Sequence, residues 1–272
     1  MESMQTTPAQ AAKEWTEERV RVGALDLAMV RGGAGKPLLV MHEELGYPGW
    51  LRWQSALARE RTLLIPMHPG FGRTPRLDWM ASVRDLASFY GRLLRQLRLA
   101  PVDVIGFSLG GWIAAEMAVD NPAQLRRMVL VAPMGIRPPL GEIFDLYNVT
   151  VNAYLRASVH DPQQTPEMKR LFAAPAALAQ LEAWEDARIQ TARLAWRPYM
   201  YNPSLPYLLE GVSGLPTALV WGSEDRIVPL SAGHAYRDAL GGSRLEVIDG
   251  AGHRPELEAT DGFVGLVREF LS

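Results

Sequence analysis

The chain of 272 residues has no cysteine, which removes thiol catalysis, disulfides and cysteine-ligated metal sites together. Neither sign of charge is in excess. The 28 lysines and arginines face 30 aspartates and glutamates, for a formal net charge of -2, so no broad field draws nucleic acid or an anionic membrane surface. Long apolar runs are also missing, since every apolar stretch is shorter than the roughly 20 residues that span a bilayer. Residues 1–15 have no cationic start and no apolar core, so they do not read as a secretory signal; a flexible tail there and a cytoplasmic chain are expected. The partner these absences leave is a small, neutral or weakly charged molecule.

Hydrophobic residues make up 48% of the chain and charged residues 21%, the composition of a folded domain with a sizeable core. Residues 18–22 and 26–31 alternate as two antiparallel strands do. Residues 37–42 and 62–66 are instead continuously apolar or nearly so, as strands covered on both faces are, 102–107 reads as another buried strand, and further strands are expected over 128–132, 216–221 and 244–248. Apolar residues at helical spacing follow Ser82, and further helices are expected over 110–119, 230–240 and 256–271. Strand, helix and strand in close succession give right-handed parallel units, hence an α/β fold. Between 134 and 214 the strand rhythm stops and a proline-broken helical pattern replaces it.

The sharpest local signal is Gly106-Phe107-Ser108-Leu109-Gly110-Gly111, between a strand and a helix. A hydroxyl held on a tight strand-to-helix turn needs small neighbours, and the turn aims it at free N–H groups of the helix start. This segment resembles the nucleophile turn of the α/β-hydrolase fold family, and the resemblance extends along the chain. That family carries an acid after a late strand, where Asp225 stands in Gly222-Ser223-Glu224-Asp225. It carries a histidine after the last strand, where Gly250-Ala251-Gly252-His253 supplies one. Serine, aspartate, histidine is also the family's chain order. Taken singly, Asp225 suits a turn or cap and His253 a solvated loop; three roles at three strand ends in one order make the combination specific.

The resemblance implies a mostly parallel central sheet flanked by helices, with core segments 16–133 and 215–272 and an inserted helical cap over 134–214. It implies Ser108 as nucleophile, His253 as general base and Asp225 as the acid that orients it, with no metal or other cofactor. The oxyanion would be held by the backbone N–H of Leu109 and of Glu44. Around Glu44 the run His42-Glu43-Glu44-Leu45-Gly46 departs from the family pattern, because Glu43 stands where glycine is usual. A carboxylate beside a developing oxyanion opposes it by about 4 kcal/mol at an effective dielectric of 20. The Glu43 and Glu44 side chains are therefore expected to turn away to solvent or to a base such as Arg73. A functional role for the pair, holding a water or a cationic group, is the alternative.

The cap sequence is rich in aromatics, among them Tyr147, Tyr154, Phe172, Trp184, Trp196, Tyr199 and Tyr201. Trp184, Trp196, Tyr199 and Tyr201 are candidates to wall an apolar substrate pocket, although a cap's own small core needs the same residue types. The activity these readings imply is cleavage of a carboxylic ester through an acyl-enzyme. Lactone, amide and carbon–carbon bond hydrolysis are the alternatives. The last resembles a form with tryptophan after the histidine, where this chain has Arg254. A ligand sensor on the same scaffold is the non-enzyme reading.

Overall fold

A computed structural model describes residues 14–165, 167–168 and 178–272. The alternating and apolar segments form eight strands: β1 (Trp15–Val22), β2 (Leu25–Gly32), β3 (Lys36–Met41), β4 (Arg61–Pro66), β5 (Val102–Phe107), β6 (Leu125–Val131), β7 (Thr217–Gly222) and β8 (Arg244–Ile248). They make one sheet in the order β1-β2-β4-β3-β5-β6-β7-β8. Only the β1–β2 and β2–β4 pairs are antiparallel; the remaining five are parallel. This is the α/β-hydrolase fold that the sequence implies, a mostly parallel sheet flanked by helices.

Successive residues of a buried strand serve opposite faces, and here they feed two separate cores. Leu39 and Val104 pack on one side with α2 (Val83–Leu97) and α3 (Leu109–Asp120). Leu38, Val40 and Ile105 pack on the other with α1 (Arg52–Leu57) and a C-terminal helix pair. α2 begins at a reciprocal cap, the Ser82 hydroxyl accepting from Asp85 N–H at 3.2 Å while Asp85 accepts from Ser82 N–H at 2.9 Å, and it buries one apolar stripe. The first ten residues of α3, from Leu109 to Ala118, are all buried, which explains its alanine and glycine content.

Three details differ from expectation. β1 starts at Trp15, whose ring stacks on Trp50 at 6.2 Å, so the strand is longer than 18–22 and Trp15 is not part of a tail; residues 1–13 lie outside the described residues. Helix α1 was not evident in the sequence. The C-terminal helix expected over 256–271 is two helices.

Between β6 and β7 the described residues include α4 (Val151–Ala157), α5 (Leu178–Ala195) and α6 (Leu205–Leu209). Phe172, named above among the aromatics of this segment, lies outside the described residues. The chain then continues through α7 (Leu230–Ala239) and β8 to α8 (Pro255–Glu258) and α9 (Thr260–Leu271). Among the described residues no helix is long and apolar enough to cross a membrane.

Candidate active site

Ser108 sits at the C-terminal end of β5 with φ +49°. A non-glycine residue in this region carries about 1–3 kcal/mol of backbone strain, held only where the surroundings leave no other conformation. The surroundings here are backbone atoms at close range. A methyl group on Gly106 would meet Gly110 O at 2.4 Å, and one on Gly110 would meet Met41 O at 2.2 Å. Glycine at these positions thus lets β5, α3 and the end of β3 approach closely enough to fix the turn. Leu109 is the first residue of α3 and no side chain caps that end, so its N–H belongs to the unpaired first turn of a helix, where negative charge is favoured.

Two loops from the far strands reach this serine. His253 Nε2 lies 2.9 Å from Ser108 Oγ, and His253 Nδ1 lies 2.8 Å from Asp225 Oδ2. Asp225 is itself fixed, since its Oδ1 accepts the N–H groups of Ile227 at 2.8 Å and Val228 at 2.9 Å. Nδ1–H therefore donates to Asp225 and Nε2 is left to accept the serine proton. Burial would lower the His253 pKa, but the charge and hydrogen bond of Asp225, with the Glu44 charge, outweigh it and hold the imidazole above its ordinary value. Among the described residues the side chain of Glu224, the neighbouring acid, instead meets the Ser223 hydroxyl at 3.5 Å.

One carboxylate of the turn after β3 does not follow the expectation. Glu44 is wholly buried. Its Oε1 accepts the Tyr154 hydroxyl of α4 at 2.6 Å, and its carbonyl accepts the Thr191 hydroxyl of α5 at 2.8 Å. Burial alone would raise the Glu44 pKa, but His253, the hydroxyls of Tyr154 and Ser108, and Arg254 outweigh it and hold it below the usual carboxylate value. The side chain thus turns inward, toward the serine and histidine, and the outward orientation is corrected. Arg73 pairs elsewhere, with Glu17. The physical reason is that donors within the fold replace water for this carboxylate, so its burial is satisfied in part.

Glu43 pairs with a base as expected, but the base is Arg254, whose Nη2 lies 2.8 Å away, and not Arg73. Arg254 is 2% exposed and also donates from Nε to Ser158 Oγ at 2.8 Å. These two residues line a cavity of about 30 Å³ with His42, Tyr47, Trp53 and Glu256, room for about two waters. Burial pushes the Glu256 carboxyl up to about 8, Arg254 opposing and Glu43 adding to the rise. Behind the turn, Tyr90 OH, His68 and His42 form a buried chain. His68 N–H donates to His42 Nε2 at 3.0 Å, which leaves His42 Nδ1 to donate to Glu43 O at 2.8 Å. Burial drops the His42 pKa to about 4, so it serves the turn as a neutral ring.

The four candidate pocket aromatics do not gather in this way. Trp184 is buried in the main core. Trp196 is 45% exposed and meets Tyr147 edge-on at 4.8 Å. The Tyr199 hydroxyl accepts from Leu146 N–H and donates to Phe144 O, at 2.9 and 2.8 Å. Tyr201 lines an outer cleft with Ser82, Arg84, Trp112 and Glu116. Among the described residues of the inserted segment, Tyr154, Ser158 and Thr191 bond to the groups around Ser108. Only Tyr154 carried a signal, as an aromatic of that segment; nothing in the sequence marks Ser158 or Thr191, and Arg254 was marked only by adjoining His253.

A serine, a histidine and an aspartate hydrogen-bonded in line at the ends of three strands of such a sheet define a hydrolase of the α/β class. The chain belongs to the alpha/beta hydrolase family, whose sequence model matches residues 25–266. It is similar to the 2-hydroxymuconate semialdehyde hydrolase of Pseudomonas sp. strain CF600, with 28% identity over 88% of each chain. It is also similar to the pimeloyl-[acyl-carrier protein] methyl ester esterase of Neisseria meningitidis serogroup B, with 27% identity over 75% of this chain and 80% of that one. Among solved structures, the meta-cleavage product hydrolase of Pseudomonas fluorescens IP01 superposes with a TM-score of 0.77 over 93% of this chain and 97% of that one, at 21% identity. That last likeness is one of fold.

Proposed function

We propose that the protein is a serine hydrolase that cleaves a small carboxylic ester through an acyl-enzyme. The observation that carries this reading is the hydrogen-bonded line from Ser108 Oγ through His253 to Asp225. Ser108 Oγ attacks the ester carbonyl as its proton passes to His253 Nε2, and the imidazolium is stabilised by Asp225. The proton then goes to the departing alkoxide, leaving the acyl group on Ser108. A water gives its proton to His253 and attacks the acyl carbonyl, releasing the acid and returning the proton to Ser108. The oxyanion is held by the backbone N–H groups of Leu109 and Glu44, donors whose individual loss costs about 2.7–4 kcal/mol in comparable sites. No cofactor enters these steps. In this reading the inserted helical segment is a cap that shields Ser108, itself 2% exposed.

A second reading, hydrolysis of a carbon–carbon bond in a ring-fission product, is favoured by the likeness to the semialdehyde hydrolase. A muconate is a carboxylate, however, and the inward Glu44 opposes an anionic substrate, while Arg254, which stands where that form carries tryptophan after the histidine, is already paired with Glu43.

A fluorophosphonate probe tests the assignment. One adduct is expected, on the peptide containing Ser108, and Ser108→Ala loses both label and esterase activity; labelling elsewhere with full activity in that variant removes Ser108 from the chemistry. Asp225→Asn is expected to lower turnover by about 10⁴. Three donors converge on Asp225, and an amide has one acceptor oxygen to offer them. Glu224→Gln stays within a few-fold of the parent. p-Nitrophenyl esters assayed beside a ring-fission dienoate separate the two readings by which is turned over.

A further inference from the structure

The proposed chemistry has no use for a carboxylate at the Glu44 position, yet the structure takes trouble to keep one there. Glu44 Oε1 is satisfied by Tyr154, while Oε2 is equally buried and meets no donor in good hydrogen-bonding geometry among the described residues, the Ser108 hydroxyl beside the carboxylate being engaged with His253 Nε2 at 2.9 Å. A buried carboxylate oxygen lacking a donor is costly, more so when ionised. The carboxylate borders the reacting atoms: the chain leading into its turn packs against the first turn of α3, where a methyl on Gly110 would meet Met41 O at 2.2 Å and His42 O at 2.5 Å, and the Ser108 hydroxyl and the His253 ring are among the groups that hold it ionised. Its neighbourhood is acidic. Glu43, Glu44 and Asp225 converge here against one guanidinium, Arg254, whose nearest carboxylate oxygen is that of Glu43 at 2.8 Å. Among the described residues no ion pair is made to Glu44, which Arg254 reaches only at longer range.

We infer that Glu44 is a specificity-determining residue, which receives a cationic group of the substrate near the scissile carbonyl and turns anionic substrates away. This rests on the reading of Ser108 as an ester-cleaving nucleophile. An ammonium on the substrate would complete the coordination of Oε2 and balance its charge in a buried site. It would also remove the conflict between Glu44 and the oxyanion, since the carboxylate is neutralised while negative charge develops on the carbonyl oxygen. The benefit is therefore larger in the transition state than on binding, and part of it appears in kcat. Glu43 has no such role, being tied to Arg254.

Three p-nitrophenyl esters of matched reach test this: β-alanyl, with a terminal ammonium; butyryl, with a methyl in its place; and succinyl, with a carboxylate. For the wild-type protein kcat/KM is expected to fall in that order, the β-alanyl ester exceeding the succinyl by about a hundredfold or more, the scale of one partly screened charge contact. Glu44→Gln keeps the shape and an acceptor for Tyr154, and the same ratio is expected to shrink to within about fivefold once the charge is gone. Tyr154→Phe, which leaves the carboxylate in place, keeps the order. A wild-type ratio near one, or an unchanged ratio in Glu44→Gln, overturns the inference, and the wild-type series decides even if the variant fails to fold. If butyrate is cleaved and the phosphonate labels Ser108 but the charged esters are treated alike, this inference alone falls. If no ester is cleaved and Ser108 escapes the probe, the ester reading falls with it.

Discussion

The turn that presents Ser108 and the turn at residues 43–46 face the same reacting atoms but are held by different physics. The first is fixed by backbone against backbone: glycines at 106 and 110 admit neighbours at distances no side chain allows, and the serine is strained as a result. The second is fixed by side chains from elsewhere, with Glu43 on Arg254, Glu44 on Tyr154 and Thr191, and His42 on the Glu43 carbonyl. Sterics of this kind are local and insensitive to pH. Buried charge depends on distant partners and on protonation. The contrast explains how one site can present a rigid nucleophile beside a region open to variation in charge.

Substitutions can break this comparison, the largest effect coming from the serine turn. Gly110→Ala places its methyl 2.2 Å from the Met41 carbonyl oxygen, and an expected loss of more than about 4 kcal/mol is read by chemical denaturation and by absent phosphonate labelling. Full labelling with ordinary stability would show that the turn is not sterically set. Glu43→Ala strands the buried Arg254 cation and is expected to cost about 3 kcal/mol, whereas adding Arg254→Met recovers most of that loss because no charge is left behind. Additive losses in the double variant would deny the pairing.

A pH series sharpens the contrast. The unfolded chain gives up the Glu256 proton near 4.5, the folded chain near 8. Between these values unfolding releases a proton, so the stability contributed by the neutral carboxyl is full below 4.5 and is lost as pH rises to about 8. Melting temperatures of the wild-type protein are expected to fall over this window more steeply than those of Glu256→Gln; parallel curves would refute it. The smallest effect is Gly46→Ala. Gly46 has φ +92° but open space around its missing side chain, so only backbone strain of about 1 kcal/mol is expected by denaturation.

What could be read from the sequence follows the same division. Ser108, Asp225 and His253 were legible because each lies in a short motif whose neighbours determine its conformation, and the central strands were legible because burial on both faces leaves continuous apolar runs, while the edge pair β1 and β2 showed by alternation. The direction of Glu44 was not. Its partners Tyr154 and Thr191 lie 110 and 147 residues away, and a Coulomb argument made without them sends the carboxylate to solvent. Aromatic content similarly announced a segment with a packed interior without saying which rings face Ser108; Trp196 is half exposed. The break between α8 and α9 at Ala259 carried no glycine or proline to mark it.

The attachment of the 43–46 turn to Tyr154, Thr191 and, through Arg254, to Ser158 has a consequence for recombination between family members. A chimera that imports a foreign inserted segment leaves Glu44 without its hydroxyl donors and Arg254 without one of its acceptors. One that imports a foreign turn strands the same groups from the other side. The heritable module is therefore discontinuous in sequence: residues 43–46, 154, 158, 191 and 254 travel together or not at all, and a crossover placed at the ends of the inserted segment cuts through it.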